Sequence, residues 1–125
     1  MKIGDLIKEL KKGKPFQQVY FDFGGCFPTD VDSWRGVYAE PALGWTNRAI
    51  DFHTKFTPPM VSQLITRLEE AVNGKEFEGY KGGKFKYTKG AEIHIDNYGE
   101  CTHTEIESVE HYEYVTIIKT KYEED

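Results

Sequence analysis

The sequence predicts a single α+β domain spanning residues 1–125, a mainly antiparallel sheet with two amphipathic helices, in the order α-β-β-β-α-β-β-β. Three observations lead there. Apolar residues recur at helical spacing in only two stretches, one near the start and one at residues 58–72. Around them lie short runs dense in aromatic and β-branched residues, several alternating apolar with polar. No βαβ unit of ~30 residues is present, which excludes an all-parallel sheet.

Taken in order, residues 2–12 place Ile3, Leu6, Ile7 and Leu10 on one helical face, with Asp5, Lys8, Glu9, Lys11 and Lys12 outward. Lysines in the last turn suit the negative end of the macrodipole, and Gly13 with Pro15 stops the helix. Residues 17–23 read as a buried strand closed by Gly24-Gly25. Pro28 and Asp30 mark a loop, residues 33–38 begin a second strand ending near Pro41, and residues 49–56 alternate as a third. Thr57 is placed as N-cap with proline in the first turn. Val61, Leu64, Ile65, Leu68 and Val72 follow at helical spacing, and Asn73-Gly74 ends the helix. Residues 84–87 form a short strand, residues 92–96 another, residues 97–99 a turn, and residues 102–106 and 114–121 the last two strands. Glu123, Glu124 and Asp125 read as a frayed tail.

The chain of 125 residues can bury a core without disulfide or metal. No run approaches the ~18–20 apolar residues of a membrane span, and no apolar leader opens the chain, so a soluble cytoplasmic protein is expected. Cys26 and Cys101 lie in unlike contexts outside any CxxC pair and read as free thiols. A net charge of -5 argues against a general binder of DNA or RNA strands. Its distribution is uneven. Glu105, Glu107, Glu110, Glu113, Glu123, Glu124 and Asp125 stand against Lys119 and Lys121, a local -5, which leaves the rest of the chain neutral. Within that neutral body, Lys75, Lys81, Lys84, Lys86 and Lys89 outnumber Glu76 and Glu78, a local +3 able to hold a small anion.

Catalytic motifs are scarce: no GxSxG, GxxxxGK[ST], HExxH or GxGxxG after a strand occurs. His94, Asp96, Cys101 and His103 fall across one hairpin, but their spacing matches no closed zinc set, and solvent-facing strand histidines are the expectation. Asp22, Asp30 and Asp32 lie near one loop, where acids usually cap backbone N–H groups rather than act as general acid or base. Neither a catalytic residue nor a metal or other cofactor is therefore expected.

The segment 77–87 carries more information. Its glycines let backbone N–H groups approach an anion, its lysines supply charge, and its aromatics offer faces for a base. The alternative is an ordinary Gly-Gly hairpin with a lysine edge, and composition does not separate the two. In a second cluster, residues 24–36, Arg35 beside Trp34 could clamp a phosphate or stack on a base, or else pair with a neighbouring aspartate. Asn97 could meet an adenine edge or simply supply a turn.

At residues 20–25 (Tyr-Phe-Asp-Phe-Gly-Gly), 28–38, 42–45 (Ala-Leu-Gly-Trp), 79–85 and 96–99 (Asp-Asn-Tyr-Gly) the chain resembles the first type of Thoeris anti-defence protein, a phage-encoded family. The string Ser-Trp-Arg-Gly-Val-Tyr is specific in combination with Tyr-Lys-Gly-Gly and Asp-Asn-Tyr-Gly. The resemblance covers most of the chain. It implies a sponge that sequesters cyclic ADP-ribose isomers, above all the glycocyclic form made by TIR-domain proteins, without cleaving them, in the cytoplasm of the infected bacterium. It further implies a homo-oligomer, commonly a hexamer, with pockets between subunits, and in some members a second site for cyclic oligoadenylates. On this resemblance Tyr87 would stack on adenine, Asn97 would bond the base or ribose, and Arg35 beside Trp34 would hold a phosphate. Lys84, Phe85, Lys119 and Lys121 complete the expected set. The family is arginine-rich near the C-terminus where this chain has lysines, which lack the bidentate fork. The competing classes are a hydrolase of cyclic nucleotide signals and a protein that blocks a host enzyme by direct contact.

Overall fold

Periodicity and structure agree for the two helices. In the computed structural model, which describes residues 1–33, 41–47, 57–78, 84–96 and 102–124, α1 spans Ile3–Lys11 and α2 spans Val61–Ala71. Ile3, Leu6, Ile7 and Leu10 of α1 and Val61, Leu64, Leu68 and Ala71 of α2 are all buried. The helices pack on each other, α1 also on the seventh strand and α2 on the first two. Thr57 is not the N-cap. Proline at 58 and 59 holds the chain extended, α2 starts three residues later, and the Gln63 side chain accepts the Met60 N–H at 2.9 Å.

Among the described residues there are eight strands: β1 (Gln18–Phe21), β2 (Cys26–Ser33), β3 (Pro41–Asn47), β4 (Phe77–Glu78), β5 (Lys84–Phe85), β6 (His94–Ile95), β7 (Thr102–His111) and β8 (Val115–Glu124). Six of them form one sheet in the order β1-β8-β7-β6-β3-β2, while β4 and β5 form a separate antiparallel pair. In the large sheet β1–β8 and β3–β6 are parallel and the other three pairings antiparallel. This is the α+β, mostly antiparallel architecture the sequence predicts.

Four local expectations are corrected. Residues 26–33 are a strand rather than a loop, because Pro28 lies on the edge strand β2 beside an irregularity between Pro28 and Val31, where a missing N–H is tolerated. β3 occupies residues 41–47, which carried no predicted strand. Strands β7 and β8 are longer than expected and are offset by a bulge between Ile106 and Ser108. Glu123 and Glu124 are ladder residues, paired with His103 and Thr102, not a frayed tail. The strand expected at 49–56 and all but Ser33 of the one at 33–38 lie outside the described residues.

Both helices cover one face of the large sheet. Val19, Phe21, Val31, Leu43, Ile95, Ile106 and Ile118 point into that core with the helix residues. Residues paired across a ladder share a face, so the partners one step away point to the other side. On the side turned away from α1 and α2, one row crosses five strands: Lys121, Glu105, His94, Ala42 and Asp32.

Candidate functional site

The eight residues expected to bind ligand fall into three groups. Trp34, Arg35 and Asn97 lie outside the described residues. The last described residue before the first two is Ser33, which pairs with Pro41, and the last before Asn97 is Asp96, whose N–H donates to the Leu43 carbonyl at 3.0 Å.

Tyr87, Lys84 and Phe85 belong to the small β4–β5 unit and the chain leaving it. Tyr87 is 6% exposed and belongs to the core, with its ring centroid 4.8 Å from that of Phe77. Packing therefore occupies the ring, and stacking on a ligand would require it to leave the core. Lys84 is exposed, and its ammonium lies 3.7 Å from the Glu76 carboxylate. Phe85 pairs with Phe77 across the ladder; its side chain lies outside what is described. Phe77–Glu78 pairs antiparallel with Lys84–Phe85, while residues 79–83 between them, on which the choice between a hairpin turn and an anion cradle falls, lie outside the described residues.

Lys119 and Lys121 project from the face turned away from α1 and α2, the side opposite the core that holds Tyr87. Lys119 is half-buried and faces Ser108; Lys121 is exposed and faces Glu105. Glu105 is in turn opposite His94, which is 8% exposed. Residues of one chain thus place cationic, carboxylate and imidazole groups in one line, with the small side chain of Ala42 beside them. Glu105 and His94 were not singled out as ligand contacts, since the pairing that aligns them with Lys121 spans distant segments. Their only local signal was the alternation in residues 92–96 and 102–106.

The carboxylates considered for acid–base chemistry are engaged or exposed. Asp22 accepts the Thr120 hydroxyl at 2.6 Å and the Thr120 N–H at 3.0 Å, tying the end of β1 to β8. Asp30 lies 3.7 Å from Arg67 Nε, and Arg67 also donates to the Thr29 carbonyl at 2.7 Å, fastening α2 to β2. Asp32 is exposed on β2. Among the described residues no three His, Cys, Asp or Glu side chains converge to hold a metal ion. Cys26 is a buried free cysteine, and burial pushes its thiol up while the hydrogen bond with Asn47 opposes this more weakly. Cys101 lies outside the described residues.

A trough of about 430 Å³ runs between α1 and β7, lined in part by Asp5, Glu9, Glu107 and Lys8. Three carboxylates outnumber the Lys8 ammonium, and the N-terminal ammonium of Met1, which also lines the trough, is paired with Glu92 at 3.0 Å, which makes it a poor seat for a pyrophosphate. No helix among the described residues is long and apolar enough to cross a membrane. No protein-family model, curated protein or solved structure matches the chain.

Proposed function

We propose that the protein binds a cyclic ADP-ribose-type nucleotide signal and withholds it without cleaving it, as an anti-defence sponge of Thoeris immunity, and that it does so as an assembly of identical subunits. The reading rests on the resemblance carried by residues 20–45 and 79–99. One observation of the fold supports it: the row Lys121–Glu105–His94–Ala42–Asp32 on the face turned away from α1 and α2. Trp34 and Arg35 follow Asp32 by two and three residues, and Asn97 follows His94 by three. Segments bearing five of the eight candidate residues, Trp34, Arg35, Asn97, Lys119 and Lys121, are therefore attached to one band of the sheet. At the exposed end of the band Lys121 offers a cation for a phosphate and the half-buried Glu105 a carboxylate for ribose hydroxyls, while His94 and Ala42 are buried between them and the exposed Asp32.

Incubation with glycocyclic ADP-ribose, ultrafiltration and mass spectrometry of the heat-released small molecule tests this. Recovery of the intact ligand is expected, weakened when Lys119 and Lys121 are both changed to alanine. Release of an opened product would make the protein a hydrolase, and no retained nucleotide would leave the direct protein contact as the working reading.

A further inference from the structure

The chain carries three asparagines, Asn47, Asn73 and Asn97, and only Asn73 is followed by glycine. A glycine puts no Cβ beside its own backbone nitrogen, which leaves that nitrogen room to reach the side-chain carbonyl of the residue before it. The fold decides whether the approach is open. Helix α2 ends at Ala71, and the N–H groups of Val72 and Asn73 donate back to the Glu69 and Glu70 carbonyls, each at 3.2 Å. The next N–H, that of Gly74, makes no hydrogen bond among the described residues, and neither does the Asn73 side-chain amide. Both residues are exposed. Gly74 holds φ at +83°, and a Cβ built there would meet nothing within 4 Å. Asn47 is the opposite case: it is half-buried, its amide donates to the Gly24 carbonyl at 2.7 Å, and Arg48 follows it. Asn97, outside the described residues, is followed by Tyr98.

We infer that Asn73 is a modification site that deamidates spontaneously in the folded protein. The Gly74 nitrogen loses its proton to solvent base and attacks the Asn73 side-chain carbonyl carbon. A bond forms between them, the bond from that carbon to the side-chain nitrogen breaks, and the nitrogen takes up a proton and leaves as ammonia. Water then opens the cyclic imide. Addition at the side-chain carbonyl gives aspartate, and addition at the backbone carbonyl gives isoaspartate. Water is the co-reactant, and no atom changes oxidation state.

Either product places a carboxylate just beyond the last turn of α2, a turn that contains Glu69 and Glu70 and no basic residue. That is the negative end of the helix dipole, where a further anion is unfavourable. Isoaspartate also adds a methylene to the backbone between α2 and β4, close to where Phe77 sits in the core with the Lys75 ammonium 5.0 Å from its ring centroid. Modification therefore weakens the join between α2 and β4, whatever the protein binds.

The intact chain, aged in mildly alkaline buffer and mapped by peptide mass spectrometry with isoaspartyl methyltransferase labelling, tests this. The mass gain of an amide-to-carboxylate exchange is expected first in the peptide holding Asn73 and Gly74, with isoaspartate in excess over aspartate. Its rate in the native protein should lie within about threefold of its rate in urea, because no hydrogen bond has to open first, whereas folding should slow Asn47 at least ~10-fold. Asn73→Asp supplies the charge with an unaltered backbone, and it should lower the thermal midpoint by an amount that added salt reduces. Protection of Asn73 by ~10-fold or more in the native state, or earlier modification at Asn47 or Asn97, overturns the inference. An Asn73→Asp midpoint equal to that of wild type overturns its consequence for α2.

Discussion

His111 holds the last turn of α1: its Nε2 donates to the Glu9 carbonyl at 2.8 Å, and its Nδ1 lies 2.8 Å from the Thr116 hydroxyl. The Glu9 carbonyl can only accept, so Nε2 carries a proton in this contact. The ring fits because residue 13 has no side chain; a Cβ built on Gly13 would stand 2.2 Å from His111 Nδ1 and 2.9 Å from the Gln17 amide oxygen. Gly13→Ala should therefore expel the imidazole and lower stability by about 1–3 kcal/mol. His111→Ala should cost a similar amount, and the double variant less than the sum, since both changes break one contact. Urea melts of the three variants decide this, and an unaltered Gly13→Ala midpoint would refute the packing.

The burial of Tyr87 sets a second expectation. Its ring lies in the core beside Phe77, so Tyr87→Ala should destabilise the fold by about 3–5 kcal/mol, while Tyr87→Phe keeps the packing volume. Nucleotide retention is then best compared between wild type and Tyr87→Phe. Thermal melts supply the check. An alanine variant as stable as wild type would show that the ring packs elsewhere.

What was legible in the sequence follows from the range of the forces involved. The apolar faces of α1 and α2 repeat within a few residues of one another, and both helices were placed with boundaries close to those observed. β3 was missed because Pro41, Ala42, Leu43 and Gly44 are all buried, and a strand covered on both faces shows no alternation. β2 was misread because proline and aspartate signal a turn unless the strand is known to be an edge. The candidate residues suffered most. A resemblance in sequence says nothing about whether Tyr87 is a surface or a core ring, and the alignment of Lys121, Glu105 and His94 depends on pairings between distant segments.

Arg67 supplies a third test. One guanidinium nitrogen donates to the Thr29 carbonyl at 2.7 Å, and its Nε lies 3.7 Å from the exposed carboxylate of Asp30. The carbonyl bond matters more than the solvent-screened ion pair. Arg67→Ala should cost about 1–2 kcal/mol and Asp30→Asn less than about 0.5 kcal/mol. Equal losses in chemical denaturation would reverse that ranking.

The Tyr112 phenol donates to the Glu110 carboxylate, and this bond, with the charge of the same carboxylate, holds the phenol above the usual tyrosine range. The exposed group contributes little to stability, but its ionisation is visible by ultraviolet absorbance. Difference titration of wild type against Tyr112→Phe should show the missing phenol ionising late. Glu110→Gln should bring Tyr112 back toward ordinary behaviour, and a curve unmoved by that change would disprove the contact.

Cys26 provides a pH-dependent case. Burial is the larger influence on its thiol and raises it above the ordinary cysteine range, so the folded state favours the protonated form. A raised folded value means that this contribution to stability is complete below the pH where the unfolded thiol ionises. It is lost as pH rises through the ionisation of the folded thiol. In a Cys101→Ser background, which leaves one thiol, the stability advantage of Cys26 over Cys26→Ala should shrink as the medium becomes alkaline. The same single-thiol protein should react with a disulfide reagent at pH 8 at least ~100-fold more slowly when native than in urea, because neither thiolate nor access is available. Equal rates in the two states would place Cys26 at the surface and remove both expectations together.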